Sequence, residues 1–244
     1  MQILAFETSA KAASVALVQD RKLLGESYQN TGMTHSQTLM VMAEDLLHQC
    51  GVTVSQLDGV AVANGPGSFT GLRIGVAAVK GMAQVLDKPC APVSALEGLA
   101  FNLSDRTGIL CPALDARCGQ VYTAWFDADH GMKRLHEDCA LMTEDLCHQL
   151  AALPPELPIT LLGDGAHLVL SRMEELYPQR RLLLPGKHLL LQHAHGVGLA
   201  ALHGIQNGTL QTVSPQQLVP VYLKLPQAQR ELQMKLSLKK TEQQ

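Results

Sequence analysis

The sequence has few charged and few aromatic side chains, and it has no excess of basic residues. Of its 244 residues, 17% are charged and 4% are aromatic, while 46% are hydrophobic. Nineteen Lys and Arg residues against 22 Asp and Glu residues give a formal net charge of −3. This balance excludes nucleic-acid binding through an overall basic field, because phosphate contacts need clustered positive charge. The hydrophobic content excludes intrinsic disorder for the bulk of the chain.

Long apolar runs and paired cysteines are missing as well. No apolar run approaches the roughly 20 residues that span a bilayer, so we expect no membrane partner. The opening residues, MQILAFE, have no basic start and predict a strand instead of a signal peptide. The six cysteines form no Cys-x-x-Cys pair, and we interpret them as reduced core thiols of a cytoplasmic protein.

Hydrophobic periodicity predicts an α/β fold whose pattern starts twice along the chain. A strand, a glycine-rich turn and a helix follow one another, so the sheet is at least partly parallel. The predicted strands are 2–8, 12–18, 22–28, 60–63, 109–116, 120–126, 134–141 and 159–162. The predicted helices are 35–50, 72–86, 94–103, 144–150, 166–177 and 193–206. We place two related lobes at 1–105 and 106–223, and a flexible polar tail at 224–244.

Cap signals bound the first helix. Thr34 stands three residues before Gln37, which predicts a capping box at the N-terminus. Gly51 follows the last apolar position, and a glycine there predicts a left-handed C-terminal cap.

The turn Gly65-Pro66-Gly67-Ser68-Phe69-Thr70-Gly71 is the most informative local feature. Glycines let backbone N–H groups converge, and a helix N-terminus adds partial positive charge, which together suit a phosphate or carboxylate. No Gly-Lys-Ser/Thr follows, so the turn is not a Walker A loop. The alternative interpretation is a strand-to-helix turn that needs unusual backbone angles, and both interpretations stay open.

Other groups with catalytic or ligating chemistry give weak signals. Glu7-Thr8-Ser9 and Asp115 suit a metal or phosphate, or they are ordinary turn and cap residues. Ser68 lies outside a Gly-x-Ser-x-Gly elbow, and Cys118 is best interpreted as a buried inert thiol. His193 and His195 have no acidic residue nearby in the sequence, and we expect no metal site.

The second helix is more apolar than one sheet contact requires. Its polar side chains Arg73, Lys80 and Gln84 form a stripe only about 40° wide. A helix on one sheet needs an apolar stripe somewhat over 100° wide. Another helix of this chain or a partner protein must cover the excess.

Several strings, taken together, resemble one family. They are ILAFETS at 3–9, SVAL at 14–17, HSQ at 35–37, NGPGSFTGLRIG at 64–75, LDAR at 114–117 and PVYL at 220–223. In this order they are similar to the TsaB (YeaZ) family. The resemblance implies an actin-like/Hsp70-like ATPase (ASKHA) fold of two related lobes, each with a mixed β-sheet and flanking helices. It also implies a role in forming threonylcarbamoyladenosine on tRNAs that read codons beginning with A.

The resemblance implies a subunit that is not itself an enzyme. The family's catalytic subunit is the paralogue TsaD, which carries a metal-binding His-x-x-x-His. The corresponding positions here are His35 and Leu39, so the ligand pair is broken. We expect no intrinsic cofactor, with nucleotide bound only at a partner interface. Glu7 stands where relatives commonly have Asp, which further weakens an ATPase role.

The implied partners are a TsaD-type catalytic subunit and a TsaE-type ATPase, with tRNA contacted indirectly through the complex and a homodimer when the chain is alone. The residues that we assign to the partner interface are His35, Leu39, Met42, Arg73, Val76, Val79 and Lys80. Those that we assign to a vestigial phosphate loop are Glu7, Thr8, Ser9, Gly65, Gly67, Ser68 and Asp115. The alternatives are a weak independent ATPase, and a peptidase acting on TsaD with Ser68 or Cys118 as nucleophile.

Overall fold

The structure is a computed structural model that describes residues 1–224. Its strands are β1 Gln2–Glu7, β2 Ala13–Gln19, β3 Lys22–Gln29, β4 Gly59–Gly65, β5 Cys90–Ser94, β6 Ile109–Asp115, β7 Gln120–Asp127, β8 Lys133–Met142 and β9 Ile159–Leu162. Its helices are α1 His35–Gln49, α2 Phe69–Leu86, α3 Ala95–Phe101, α4 Thr143–Ala151, α5 Ala166–Leu176 and α6 Ala194–Asn207, with a 3-10 turn at Val54–Gln56. Within the described chain, every helix is too short or too polar to cross a membrane.

The first sheet has the strand order β3-β2-β1-β4-β5. β1, β2 and β3 form the predicted antiparallel meander, whereas β4 pairs in parallel with β1 and β5. β1 and β4 are buried along nearly their whole length, as expected for apolar strands covered on both faces. The periodicity did not predict β5, a short edge strand that contains Pro92.

The second sheet repeats this arrangement with the order β8-β7-β6-β9. β6, β7 and β8 are antiparallel, and β9 is parallel to β6. A parallel bridge between Thr160 and Leu183 stands beside β9, where the first sheet has its fifth strand. The repeated order confirms the predicted actin-like/Hsp70-like fold of two related lobes.

Helices α1 and α2 cover one face of the first sheet. Their buried side chains join those of β1, β2 and β4 in one apolar cluster, which Leu218 also enters. Half-buried Ile74, Ala78 and Met82 pack against the same cluster. Helix α1 and the segment around Leu218 therefore cover much of the apolar excess that α2 shows in the sequence.

The cap predictions for α1 have different outcomes. Gly51 has a φ of +66°, and its N–H donates to His48 O at 3.1 Å, so the left-handed cap is confirmed. The capping box is wrong, because the Thr34 side chain makes no capping hydrogen bond. The Thr34 carbonyl instead accepts the Gln37 N–H at 2.9 Å, which closes the first turn through the backbone alone.

Helix α6 covers the opposite face of the first sheet, although it follows the second sheet in the chain. Val197, Ala200 and Ala201 belong to a cluster that contains residues of both sheets, including Ile3 and Phe126. The chain division at 105 and 106 stays a prediction, and the structure adds that α6 packs on the first sheet. The tail at 225–244 lies outside the described residues.

Helix α2 approaches the end of β1 through three glycines. A Cβ atom would lie 2.5 Å from Ser9 O at Gly67, 2.0 Å from Thr8 O at Gly71 and 2.2 Å from Thr8 Oγ1 at Gly75. Any larger residue would push the helix away from the strand. Thr8 Oγ1 donates to Gly71 O at 2.9 Å, which ties the strand end to the helix.

Two alanine substitutions on α2 test this packing. We expect Gly71→Ala to destabilise the protein by about 1–3 kcal/mol, because the new methyl group overlaps the Thr8 carbonyl. Gly81→Ala is the matched control, since no atom lies within 4 Å of its Cβ position. It should stabilise the helix by about 0.5–1 kcal/mol. Urea denaturation measures both, and a Gly71→Ala variant as stable as wild type would contradict the packing.

Candidate interlobe cleft

A cleft of about 830 Å³ lies where turns of the two lobes face each other. Its walls come from the β1–β2 turn, the glycine-rich turn, the β6–β7 turn and the last described residues. Of the predicted phosphate-loop residues, those that line the cleft are Ser9, Gly67, Ser68 and Asp115. Those that lie buried behind its wall are Glu7, Thr8 and Gly65.

The glycine-rich turn is occupied by the protein's own backbone. The Ser68 N–H donates to Ser9 O at 2.7 Å, and Ser68 Oγ accepts the Gly71 N–H at 3.3 Å as the N-cap of α2. At Gly65, whose φ is +133°, a Cβ atom would lie 2.1 Å from Val221 O. The glycines therefore serve close backbone packing, which favours the strand-to-helix interpretation over a phosphate cradle.

Glu7 is fully buried beneath this turn. Burial raises the pKa of its carboxyl group to about 7, although hydrogen bonds from Ser9 and the positive charge of His193 lower it in part. The Ser9 N–H donates to Glu7 Oε1, while Oε2 has no hydrogen-bond partner in the described chain. Because Glu7 is buried behind the cleft wall, its carboxyl group does not reach a cation in the cleft.

Asp115 ends β6 at the opposite wall of the cleft. Its Oδ1 accepts the Arg117 N–H at 2.8 Å, and its Oδ2 pairs with Arg117 Nη1 at 3.3 Å. The Asp115 N–H donates to Asp164 Oδ1 at 2.9 Å. These contacts are those of a turn aspartate beside Arg117, the second of the two interpretations that the sequence allowed.

The last described segment runs along the first lobe, passes the glycine-rich turn and reaches the β6–β7 turn of the second lobe. The Val221 N–H donates to Asn64 O at 2.7 Å, which holds the segment against the end of β4. Tyr222 packs its ring 4.7 Å from that of Phe69 and accepts a hydrogen bond from Arg73 Nε at 3.1 Å. Periodicity gave no sign of this contact, because a short extended segment has no repeating pattern. Lys224, the first residue of the predicted tail, is anchored through Nζ to Ala116 O at 3.0 Å.

The nucleophile candidates lack the environment of a catalytic centre. Ser68 Oγ caps α2, and no histidine within residues 1–224 forms a hydrogen bond with it. All six cysteines are free, but Cys118 is exposed, so its interpretation as a buried thiol is wrong. It lies in a turn where Cys118 and its neighbours Arg117 and Gly119 all have positive φ.

The predicted partner-interface residues divide by burial. Arg73 is exposed, while His35 and Lys80 are half-buried. The side chains that lie in the core beneath α1 and α2 are Leu39, Met42, Val76 and Val79. In the isolated chain α1, α2 and the first sheet enclose these four side chains. The assignment of α1 and α2 to a partner interface stays a prediction.

An exposed apolar groove, which we call the α1 groove, lies beside these core residues. Its volume is about 510 Å³, and it is lined by Met40, Val41, Ala43, Glu44, Leu47, His48, Val52, Thr53, Val54 and Met82. Met40, Val41 and Val54 are 45%, 56% and 40% exposed. Sequence reasoning missed the groove, because the Val54–Gln56 turn that forms its second wall has no periodic signal.

The histidines also differ from expectation. His35 Nε2 lies 2.9 Å from Ala10 O, so its ring contacts the β1–β2 turn, and Leu39 at the next helical turn is buried. His193 and His195 do have an acidic neighbour in the folded chain, because Glu26 of β3, which is distant in the sequence, contacts both. Burial alone would raise the pKa of Glu26, but hydrogen bonds from the two histidines hold it at about 2.

Comparison with known proteins adds independent information. The family model described as TsaD, tRNA N6-adenosine threonylcarbamoyltransferase, matches residues 27–165. The tRNA threonylcarbamoyladenosine biosynthesis protein TsaB of Bacillus subtilis is 30% identical, over 94% of this chain and 96% of that protein. TsaB of Escherichia coli is 30% identical, over 82% of this chain and 94% of that protein. The solved structure of YeaZ from Pseudomonas aeruginosa has a TM-score of 0.77 at 31% identity, covering 91% and 99% of the two chains.

A Glu7→Gln substitution tests the state of the buried carboxyl group. The pKa of the Glu7 carboxyl group is about 7 in the folded protein, against 4.5 in the unfolded chain. Its contribution to the free energy of unfolding of the wild type is therefore complete below pH 4.5 and is lost as the pH rises to 7. The loss amounts to about 3 kcal/mol. Glutamine cannot ionise, so we expect the variant to gain stability relative to wild type between pH 5 and pH 8.

Chemical denaturation at the two pH values measures this gain. Glu156→Gln is the control, since Glu156 is exposed in a loop and its substitution should leave the pH dependence of stability unchanged. An equal difference in stability between Glu7→Gln and wild type at both pH values would show that Glu7 is ionised throughout.

Proposed function

The chain belongs to the TsaB (YeaZ) family, and from that premise we propose that it is a non-catalytic partner subunit in forming threonylcarbamoyladenosine on tRNA. In this proposal it binds and stabilises a TsaD-type catalytic subunit in the cytoplasm. It helps to recruit a TsaE-type ATPase, and tRNA is contacted indirectly through the complex. Nucleotide binds only where partners complete the site.

The observation that carries the proposal is the α1 groove. Met40, Val41 and Val54 are exposed there, and Val85 of α2 is 84% exposed. Apolar side chains that cluster on a surface mark a contact site more often than isolated ones do. Thioether side chains such as Met40 and Met82 also adapt their shape to a partner. An amphipathic helix of the paralogous subunit fits an apolar groove of this form.

Three features support a subunit without catalytic chemistry of its own. Leu39 replaces the second histidine of the TsaD pattern and is buried in the core. Glu7 is buried with a pKa near neutrality, and Asp115 is paired with Arg117. These contacts support the absence of a metal-activated water in the cleft. They argue against an independent ATPase, and the capping role of Ser68 argues against a peptidase.

Charge placed in the α1 groove tests the proposed contact. We expect Met40→Glu and Val41→Glu each to weaken binding to the TsaD-type subunit at least tenfold, because a carboxylate would lose its hydration in an apolar interface. Size-exclusion co-elution and a calorimetric titration measure the loss. Threonylcarbamoyladenosine formation by the reconstituted complex should fall in parallel, and the isolated chain should neither modify tRNA nor release phosphate from ATP.

The control is Leu168→Glu on α5, an apolar-to-charged change at a side chain that is 43% exposed in the second lobe. It should bind the catalytic subunit as wild type does. Val76 and Val79 are unsuitable positions, because a charge in the core would unfold the lobe. If the Val41→Glu variant kept its fold and co-eluted unchanged, the groove would not be the contact surface.

A further inference from the structure

Two histidines and one glutamate converge where β3 meets the start of α6. Glu26 Oε2 lies 3.2 Å from His193 Nδ1 and 2.9 Å from His195 Nδ1. The three side chains are only 13–15% exposed. Glu26 is 167 and 169 positions from the two histidines, so the fold brings the cluster together from distant parts of the chain. The three ligating atoms lie within 4.8 Å of one another.

We propose that Glu26, His193 and His195 form a binding site for one divalent transition-metal ion, and that Zn²⁺ is the ion they suit best. Two imidazoles and one carboxylate are a ligand set that Zn²⁺ commonly takes, with a fourth position left to water. With bonds of about 2.0–2.1 Å, ligand atoms stand about 2.9 Å apart at right angles and about 3.4 Å apart in a tetrahedron. The two distances to Glu26 Oε2 fall between these limits.

The hydrogen bonds of His193 favour a cation in the cluster. His193 Nε2 lies 2.8 Å from His188 O, and a carbonyl oxygen can only accept, so Nε2 carries a proton. The neutral ring then points the lone pair of Nδ1 at the carboxylate of Glu26. A second proton or a metal ion must stand between these two atoms. A carbonyl that fixes the tautomer of an imidazole is the usual companion of a metal-ligating histidine.

The ligands are held in place before any ion binds. The Tyr28 ring stacks on that of His193, with centroids 4.4 Å apart and an interplanar angle of 17°. The His195 N–H donates to Glu26 Oε1 at 3.1 Å, which leaves Oε2 directed at the two Nδ1 atoms. Binding therefore needs little rearrangement. The ion would clamp the start of α6 to β3.

Zinc binding by the untagged full chain at pH 8 tests the site. We expect one equivalent of Zn²⁺ by calorimetry, and a rise in Tm of about 5–10 °C when free Zn²⁺ is a hundredfold above Kd. Glu26→Gln and His195→Gln should each weaken binding at least about 100-fold. His130→Gln is the matched control, because His130 is exposed and contacts only Asp127 among acidic residues of the described chain; this variant should bind Zn²⁺ as wild type does.

X-ray absorption of the zinc-loaded wild-type chain keeps the test decisive if a variant fails to fold. We expect only nitrogen and oxygen ligands at about 2.0–2.1 Å, with two imidazole signatures. A sulfur shell at about 2.3 Å would assign the ion to the free cysteines and overturn the proposal. The absence of stoichiometric Zn²⁺ binding would also overturn the proposal, as would unchanged Zn²⁺ affinity in a folded Glu26→Gln variant. Either result would mean that the three residues form an ion-pair cluster without a metal.

Discussion

The close approach of α2 to the end of β1 is the constraint on which the rest of the molecule depends. Gly67, Gly71 and Gly75 let the helix backbone touch the carbonyl and hydroxyl groups of Thr8 and Ser9. That contact fills the turn that would otherwise present free N–H groups to an anion. It also fixes the direction of α2, which lies beside α1 over the sheet and contributes Met82 to the α1 groove. One packing contact thus bears on both the character of the cleft and the shape of the α1 groove.

The molecule has an actin-like ATPase fold, and the two acidic side chains predicted for its cleft are held by the chain's own structure. Glu7 is withdrawn into the core, and Asp115 is paired with Arg117 on the cleft wall. Leu39 has become part of the apolar cluster under α1. What the surface offers instead is apolar area on α1 and α2. Stability of the fold therefore draws on the inner faces of these two helices, and the proposed contact with a partner would draw on their outer faces.

Sequence patterns predicted the elements well and the contacts between them less well. Alternation and helical periodicity located nearly all strands and helices, because an element that buries one face has apolar residues at regular intervals. Edge strand β5 has no such pattern, since Pro92 interrupts its short apolar run. Burial of Val76 and Val79 was missed because periodicity shows that a helix has an apolar face without showing what covers it. The fold brings Glu26 together with His193 and His195, and a pattern of neighbouring residues in the sequence cannot show a contact between such distant positions.

The position of α6 in the chain has a consequence for biosynthesis. The helix ends at Asn207, yet it forms one of the two layers that enclose the first sheet, whose strands begin at Gln2. While the ribosome makes the second sheet, the face of β1 and β2 that α6 covers has no permanent cover. The nascent chain must therefore remain incompletely folded until α6 leaves the exit tunnel. During that interval β1 and β2, which are synthesised first, expose the apolar surface that is most prone to aggregation and to chaperone binding.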